Sequence, residues 1–317
     1  MQPAQKLLQL LNQNIGRVIV GKSDAVELIL NAILCGGHVL IEDVPGVGKT
    51  TLASAFARSL ALTYKRIQFT PDVTPSDVTG YTSIDFKTNA MVFKQGAVFA
   101  HMVLADEINR TSPKTQSSLL EVMQEGQVTV DGETYELPKP FVVLATQNPV
   151  DFVGTYPLPE AQLDRFFIRV SIGYPTRDEE VKVLDMYMTG EKPMDELKPV
   201  CAKEDLLRLQ QQVGDVRVSK EMKVYISDIA LASRTSHQFE RGISTRGAIA
   251  LMKASQAAAM LDGRDFVEPE DIKRMLCPVL AHRVVLSPEA RLGGKGVTAE
   301  KMLQRLVSTV RVPVKVK

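Results

Sequence analysis

Apolar and polar positions divide the chain into two parts with different periodicity. In the first part, short apolar runs rich in β-branched residues alternate with segments whose apolar residues recur every three or four positions. The runs predict five strands: His38–Glu42, Tyr64–Thr70, Met102–Ala105, Phe141–Thr146 and Phe167–Ile172. Strands separated by helices are typical of βαβ units and a mainly parallel sheet. The sequence therefore predicts an α/β domain over residues 1–175, with two helical segments, Gln5–Asn14 and Lys22–Leu34, ahead of the first strand.

Two stretches interrupt this rhythm. Thr82–Gly96 alternates apolar and polar residues on both sides of Lys87-Thr88-Asn89, and Gln127–Leu137 does the same around Asp131-Gly132. Alternation with a period of two around a short polar turn favours a β-hairpin. Both stretches are predicted to be hairpins added to the core sheet. Insertions of this kind are where contact with partners tends to concentrate.

Strand patterns largely stop beyond Tyr174-Pro175-Thr176-Arg177, which we interpret as a linker. Residues 176–317 are predicted to form a second, all-helical domain. Its helices are expected at Asp178–Tyr187, Lys203–Val213, Lys220–Thr235, Thr245–Leu261 and Pro269–Leu280. The tail from Ala299 predicts one more helix followed by a strand-like end.

A glycine-containing loop between a strand and a helix predicts a polyphosphate site. Gly46 and Gly48 allow backbone N–H groups to point inward, and the following helix adds about half a positive charge at its N-terminus. Lys49 is expected to reach the β- and γ-phosphates, and the Thr50 hydroxyl to bind Mg²⁺. Asp43 stands where the usual pattern G-x-x-x-x-G-K-[ST] has glycine. The predicted phosphate-binding residues are Pro45, Gly46, Val47, Gly48, Lys49, Thr50 and Thr51. The alternative is a plain glycine turn with an incidental lysine.

An acidic pair follows the apolar strand at Met102–Ala105. Asp106 and Glu107 lie at its carboxyl end, where an open parallel sheet places its ligand groups. Asp106 is predicted to bind Mg²⁺ through water, and Glu107 is predicted to act as the general base on the attacking water. An acidic pair at this position can instead cap a helix. The phosphate loop elsewhere in the chain favours the nucleotide interpretation.

A short apolar segment near the N-terminus is a candidate wall of an adenine-binding pocket. Val20 and Gly21 end the run Val18-Ile19-Val20-Gly21, which lies between the two predicted N-terminal helices. These residues are predicted to contact adenine. The same pattern is also compatible with a plain helix–helix junction.

Composition narrows the class of protein. The chain has 317 residues with 44% hydrophobic content, which is enough for two domains with proper cores. Its 38 basic and 37 acidic side chains give a net charge of +1, so no overall field favours nucleic acid or an anionic membrane. The three cysteines lack zinc spacing, and no apolar run is long enough for a membrane span. The N-terminus differs from a signal peptide, so a cytoplasmic location is expected.

The order of these motifs resembles the AAA+ ATPases, and specifically the MoxR family. The most family-like stretches are Leu104-Ala-Asp-Glu-Ile-Asn-Arg110, Ala145-Thr-Gln-Asn-Pro149 and Pro159-Glu-Ala-Gln-Leu-Asp-Arg-Phe166. The resemblance implies an α/β P-loop fold with a parallel five-stranded sheet, two β-hairpin insertions and an all-α lid domain. It also implies ATP and Mg²⁺ as cofactors.

The resemblance assigns roles to three further residues. Asn148 would orient the attacking water or touch the γ-phosphate, although an Asn-Pro turn is the alternative. Arg165 looks like an arginine finger supplied to a neighbouring subunit, with a surface salt bridge to Asp164 as the alternative. Arg246 matches the arginine by which the lid senses the γ-phosphate, although it could simply cap a helix.

An arginine lent to a neighbour implies a homo-oligomeric ring, and six subunits is the usual number in this class. The resemblance further implies a chaperone-like machine that couples ATP hydrolysis to the remodelling or maturation of a protein client, with metal cofactor insertion as one form of that activity. A separate von Willebrand factor A-domain protein is an expected partner. Two alternatives stay open: a nucleic-acid-dependent motor, with Lys87, Lys94 and Lys139 as contacts, and a nucleotide-gated binding scaffold.

Overall fold

The computed structural model describes residues 3–148, 154–188, 193–292 and 296–313. Its strands are β1 (Val39–Glu42), β2 (Tyr64–Gln68), β3 (Gly80–Asp85), β4 (Ala90–Gln95), β5 (Met102–Asp106), β6 (Gln127–Val130), β7 (Glu133–Glu136), β8 (Val142–Gln147), β9 (Ile168–Val170), β10 (Phe239–Arg241) and β11 (Val285–Leu286). Five of them form the central sheet in the order β2-β5-β8-β1-β9, and every pairing in it is parallel. The predicted parallel five-stranded α/β fold is confirmed.

Helices surround this sheet and continue into the second half of the chain. They are α1 (Pro3–Ile15), α2 (Ser23–Leu34), α3 (Lys49–Ser59), α4 (Pro75–Thr79), α5 (Pro113–Glu125), α6 (Glu160–Leu163), α7 (Arg177–Met188), α8 (Pro193–Glu196), α9 (Lys203–Val213), α10 (Lys220–Thr235), α11 (Thr245–Leu261), α12 (Pro269–Leu280), α13 (Pro288–Leu292) and α14 (Ala299–Thr309). Among the helices so described, none is long and apolar enough to cross a membrane.

The middle strands are apolar along their whole length because the sheet is covered on both faces. Leu104 of β5 and Leu144 of β8 pack into the core formed with α1, α2, α3 and the lid helices. Val103 and Val143, one position earlier, point to the other face and pack against α5. Continuous burial of this kind is expected for parallel strands with helices on both sides. Because β1, β5 and β8 pair in parallel, their carboxyl ends meet at the same end of the sheet.

Both predicted hairpins are present and pack against each other. β3 pairs with β4, and β6 pairs with β7, in each case antiparallel. The rings of Phe93 and Tyr135 stack with their centroids 4.0 Å apart, which joins the two hairpins. The base of the first hairpin is crowded, because a Cβ on Gly96 would lie 2.3 Å from the Val78 carbonyl oxygen. At its tip, Phe86 is 97% exposed.

The second half of the chain is not entirely helical, so that prediction is wrong in one respect. β10 and β11 form a two-stranded antiparallel sheet in which Phe239 lies opposite Leu286, and both of these side chains are buried. Strands of three and two residues are too short to produce a detectable alternation. The predicted tail helix is present as α14, whereas the strand-like end at residues 314–317 lies outside the described residues.

The helical lid shares a core with the α/β part. Asn31 of α2 donates from Nδ2 to the carbonyl oxygen of Ala254 on α11 at 2.9 Å, and Gln210 of α9 donates to the carbonyl of Ile33 at 2.6 Å. Apolar residues of α1, α2, α11 and α12 belong to the same buried cluster. The position of the domain boundary at residue 175 stays a prediction.

Candidate active site

The phosphate loop connects the carboxyl end of β1 to the first turn of α3. Gly46 and Gly48 have φ of 85° and 87°, a region that glycine adopts at little cost. A Cβ at Gly46 would meet nothing within 4 Å, so that side of the loop is open. Gly48 is the N-cap of α3 and has no side chain, which leaves the first N–H groups of the helix available to an anion. Pro45 and Gly46 are exposed, whereas Val47 is buried.

Lys49 already points into this loop. Its Nζ donates to the Asp43 carbonyl oxygen at 2.7 Å. Burial lowers the pKa of Lys49, and the carboxylates of Asp43, Asp106 and Glu107 oppose that shift. The ammonium group is therefore within electrostatic range of the acidic pair. Thr50 and Thr51, next in the helix, are half-buried.

Asp43 departs from the usual loop pattern, and the structure gives a reason. Its Oδ2 accepts hydrogen bonds from the backbone N–H of Ile172, from the backbone N–H of Gly173 at 2.9 Å, and from Ser171 Oγ at 3.2 Å. These three donors follow the end of β9. The carboxylate therefore ties the start of the phosphate loop to the segment that leads into the lid.

Asp106 and Glu107 lie at the carboxyl end of β5, beside β8. Thr146 of β8 donates from Oγ1 to Asp106 Oδ1 at 2.7 Å and accepts from the Glu107 backbone N–H at 2.8 Å. Glu107 has φ of 57°, which is uncommon for a residue with a side chain. A residue held in such a region at a ligand-facing edge is a sign of a functional constraint.

Two polar residues of β2 contact the acidic pair, and sequence reasoning missed both. Arg66 donates to Asp106 Oδ2 from Nη2 at 2.6 Å and from Nε at 3.2 Å. Gln68 donates from Nε2 to Glu107 Oε2 at 2.9 Å, and Arg110 Nη1 lies 3.1 Å from the same oxygen. Their spacing was the available signal, because residues two apart on a strand share a face.

Asn148 directly follows β8 and is buried. Because β8 lies between β1 and β5, Asn148 is placed between the phosphate loop and the acidic pair. The segment that is predicted to contact adenine also lies near the phosphate loop. Ile19 Cδ1 is 3.8 Å from the position that a Cβ on Gly48 would take. Gly21 has φ of 75° and lies so close to the Glu179 side chain of α7 that no room is left for a Cβ. Val20 is half-buried in this segment, and its contact with adenine stays a prediction.

These residues suit a Mg²⁺–nucleotide. Mg²⁺ is usually held by one or two carboxylates or hydroxyls together with substrate phosphates, and Thr50 and Asp106 are groups of this kind. The uncapped helix N-terminus and Lys49 provide positive potential for the phosphates. The guanidinium of Arg66 now contacts Asp106 Oδ2.

Arg165 and Arg246 lie at the other end of the sheet, near the amino end of β1. They line a pocket of about 260 Å³ together with Gly36 and His38, which precede β1. Strands rise about 3.3 Å per residue, so the five residues from His38 to Asp43 separate the two ends by roughly 16 Å. The structure therefore does not bring these arginines to the phosphate loop of their own chain.

The alternatives considered for both arginines find little support. Ser244 caps α11 by accepting from the Gly247 N–H at 3.0 Å, so Arg246 is not the cap. Arg246 Nε instead lies 3.9 Å from Asp164 Oδ2. Within the described ranges, Arg165 forms no ion pair, and the carboxylate of Asp164 pairs with Arg246 and Arg283.

Comparison with known proteins agrees with this geometry. The sequence profile of the ATPase family associated with various cellular activities (AAA) matches residues 38–168, and that of the AAA lid domain matches residues 231–306. Chaperone MoxR1 of Mycobacterium tuberculosis is 39% identical, over 94% of this chain and 80% of that protein. The chain belongs to the MoxR family of AAA+ ATPases.

Two further relatives of this MoxR-family chain match along nearly its whole length. The uncharacterized protein YeaC of Bacillus subtilis is 51% identical, over 95% of this chain and 93% of that protein. The crystal structure of a candidate ATPase from Cytophaga hutchinsonii superposes with a TM-score of 0.90 at 36% identity, covering 98% of this chain and 96% of that one. The P-loop α/β fold with a helical lid is thus shared with a solved structure.

Proposed function

We propose that this protein is a Mg²⁺-dependent ATPase whose own chain supplies the phosphate site, the metal ligands and the general base. The single observation that carries the proposal is the convergence at one sheet edge of the uncapped α3 N-terminus, Lys49 and the acidic pair. Lys49 and the helix N–H groups would hold the phosphates. Thr50 and Asp106 would hold Mg²⁺, which supplies charge neutralisation on the phosphates when bound.

Glu107 would take the proton of the attacking water. Its carboxylate now accepts from Gln68, and a partner of that kind fixes the direction in which the base points. Asn148 would orient the water from the neighbouring strand end.

The proposal of a ring rests on the two arginines at the other end of the sheet. Arg165 and Arg246 line a pocket at the amino end of β1, and the rise of that strand separates this end from the phosphate loop by roughly 16 Å. We propose that both act on the nucleotide of a neighbouring subunit, where a guanidinium stabilises charge that develops on the transferring phosphoryl group. Head-to-tail contacts of this kind close into a ring, for which we propose six subunits.

The hairpin pair is the proposed contact with a protein client. Phe86 at the tip of the first hairpin is 97% exposed, and Met91 on the adjacent strand is 65% exposed. Ile84, which lies opposite Met91 across the hairpin, is also 49% exposed, and contiguous exposed apolar side chains mark interaction sites. The relative from Mycobacterium tuberculosis is named a chaperone, which supports a remodelling role in the cytoplasm, with a von Willebrand factor A-domain protein as a candidate partner. A nucleic-acid motor is less well supported, because the net charge of +1 provides no overall field that attracts nucleic acid.

Two variants test the proposed ATPase. Lys49→Ala should lose most of its affinity for ATP, because it removes the mobile positive charge at the phosphates. Glu107→Gln should bind ATP with wild-type affinity and fail to hydrolyse it. Binding of a fluorescent ATP analogue and release of phosphate measure the two defects separately. Turnover by Glu107→Gln near the wild-type rate would show that Glu107 is not the base.

The ring is tested by molar mass. Light scattering after size exclusion, with and without a slowly hydrolysed ATP analogue and Mg²⁺, should show a hexamer when nucleotide is bound. A monomer under all nucleotide conditions, at concentrations where ATP is hydrolysed, would contradict the ring.

A further inference from the structure

The segment that carries Arg165 is held from the lid. Two residues that follow α12, His282 and Arg283, both contact the carbonyl oxygen of Phe166. Arg283 donates from Nη2 at 2.8 Å, and His282 lies at 2.9 Å through Nε2, which must be the protonated nitrogen because a carbonyl only accepts. The residue directly after the candidate arginine finger is therefore fixed by two side chains of the lid.

Arg283 also reaches the residue directly before the finger. Its Nε lies 3.0 Å from Asp164 Oδ1, while the other carboxylate oxygen of Asp164 lies 3.9 Å from Arg246 Nε. Arg283 is 3% exposed at its side chain, whereas Arg246 is 53% exposed. One carboxylate is thus shared between a buried lid arginine and an arginine that faces the pocket.

A stabilising role alone explains this arrangement poorly. Removing a charged pair from water costs several kcal/mol per ion, and apolar residues of similar size often replace such pairs without loss of stability. Burial lowers the pKa of Arg283 to about 10, and Asp164 opposes that shift. A buried arginine has donors on several sides, so it can fix the relative positions of groups on different elements.

We propose that Arg283 is a positioning residue for the two arginines that this chain lends to its neighbour. By holding Asp164 and the Phe166 carbonyl together, it sets the backbone on both sides of Arg165 and, through Asp164, the orientation of Arg246. The lid and the two arginines then move as one unit, so the orientation of the lid in one subunit controls hydrolysis in the next. This inference rests on the proposed action of Arg165 and Arg246 in trans.

Mixed rings test it, because a positioning defect is confined to the subunit that donates the arginines. Arg283→Gln subunits keep an intact phosphate site, and Glu107→Gln subunits keep intact arginines. Each alone should hydrolyse ATP at least tenfold more slowly than the wild type. In an equal mixture about one quarter of the interfaces pair an intact base with an intact donor, so activity should recover toward that fraction.

Three further samples make the outcome decisive. Arg283→Gln mixed with Arg165→Ala should not recover, since both variants are defective donors. Arg274→Gln is the matched control, because Arg274, on α12, is likewise paired to carboxylates, those of Asp262 and Glu27, away from Arg165. It should retain wild-type turnover. Asp164→Asn should behave as Arg283→Gln does, and it provides the same test from the other member of the pair.

The reference mixture is Arg165→Ala with Glu107→Gln. If this mixture fails to recover despite subunit exchange, the proposed action in trans is wrong. If it recovers while neither Arg283→Gln nor Asp164→Asn recovers with Glu107→Gln, these residues serve the general structure of the subunit and the positioning role is overturned. Wild-type turnover of Arg283→Gln alone would also overturn it.

Discussion

Asp43→Gly is the most informative single substitution in the phosphate loop, because motif and structure predict opposite results. Glycine at this position restores the usual pattern G-x-x-x-x-G-K-[ST], so the motif alone predicts an unchanged or improved loop. The structure shows that the Asp43 carboxylate accepts hydrogen bonds from three donors that follow β9. The substitution should therefore destabilise the protein.

The size of the effect follows from those contacts. Hydrogen bonds to a charged acceptor contribute about 1.5 to 3 kcal/mol each, and removing the acceptor leaves the backbone N–H groups of Ile172 and Gly173 without it. Glycine adds about 0.5 to 1 kcal/mol through the entropy of the unfolded chain. The contributions are not additive, and we expect a loss of about 3 to 5 kcal/mol.

Thermal unfolding at neutral pH measures this loss, and we expect Tm to fall by roughly 10 °C, since about 2 to 4 °C corresponds to 1 kcal/mol in chains of this order of size. Asp43→Asn is the matched control. All three donors converge on the single oxygen Oδ2, and an asparagine oxygen can take that place, so the loss should be only about 1 kcal/mol. Wild-type stability of Asp43→Gly would refute the reasoning.

Two further predictions concern the buried histidine of the lid and the hairpin tip. Burial lowers the pKa of His282 from 6.5 to about 3, so the native state stays neutral while the unfolded chain gains a proton below pH 6.5; this group should cost about 2 kcal/mol of stability between pH 7 and pH 5. His282→Gln, which can still donate to the Phe166 carbonyl, should make Tm less sensitive to acid over that range, and an unchanged pH dependence would contradict the assignment. Phe86→Ser should leave basal ATP turnover unchanged and abolish stimulation by a client, whereas Thr88→Ala in the same turn should affect neither. Stimulation that survives Phe86→Ser would remove the tip from client contact.

Short sequence patterns are enough to predict much of the fold and the main features of the candidate site. The β-branched runs, the glycine loop and the Asp131-Gly132 turn each depend on residues close together in sequence. The pairing of Phe239 with Leu286 was missed, because it joins short segments far apart in the chain.

The polar contacts made by residues outside the motifs cannot be predicted from local sequence patterns. Arg66 and Gln68 meet Asp106 and Glu107 only because β2 and β5 are neighbours in the sheet, a fact of tertiary structure. In the sequence, Asp43 is only a departure from the usual loop pattern, because the donors that it accepts from at the end of β9 lie about 130 positions later.

The most direct test of the account is whether ATP hydrolysis requires residues from two subunits. Arg165→Ala and Glu107→Gln should each bind ATP and be inactive alone. An equal mixture, after demonstrated subunit exchange, should recover about one quarter of wild-type turnover, because that fraction of interfaces pairs an intact Glu107 with an intact Arg165. Exchange without any recovery, or wild-type turnover by Arg165→Ala alone, would contradict the central claim.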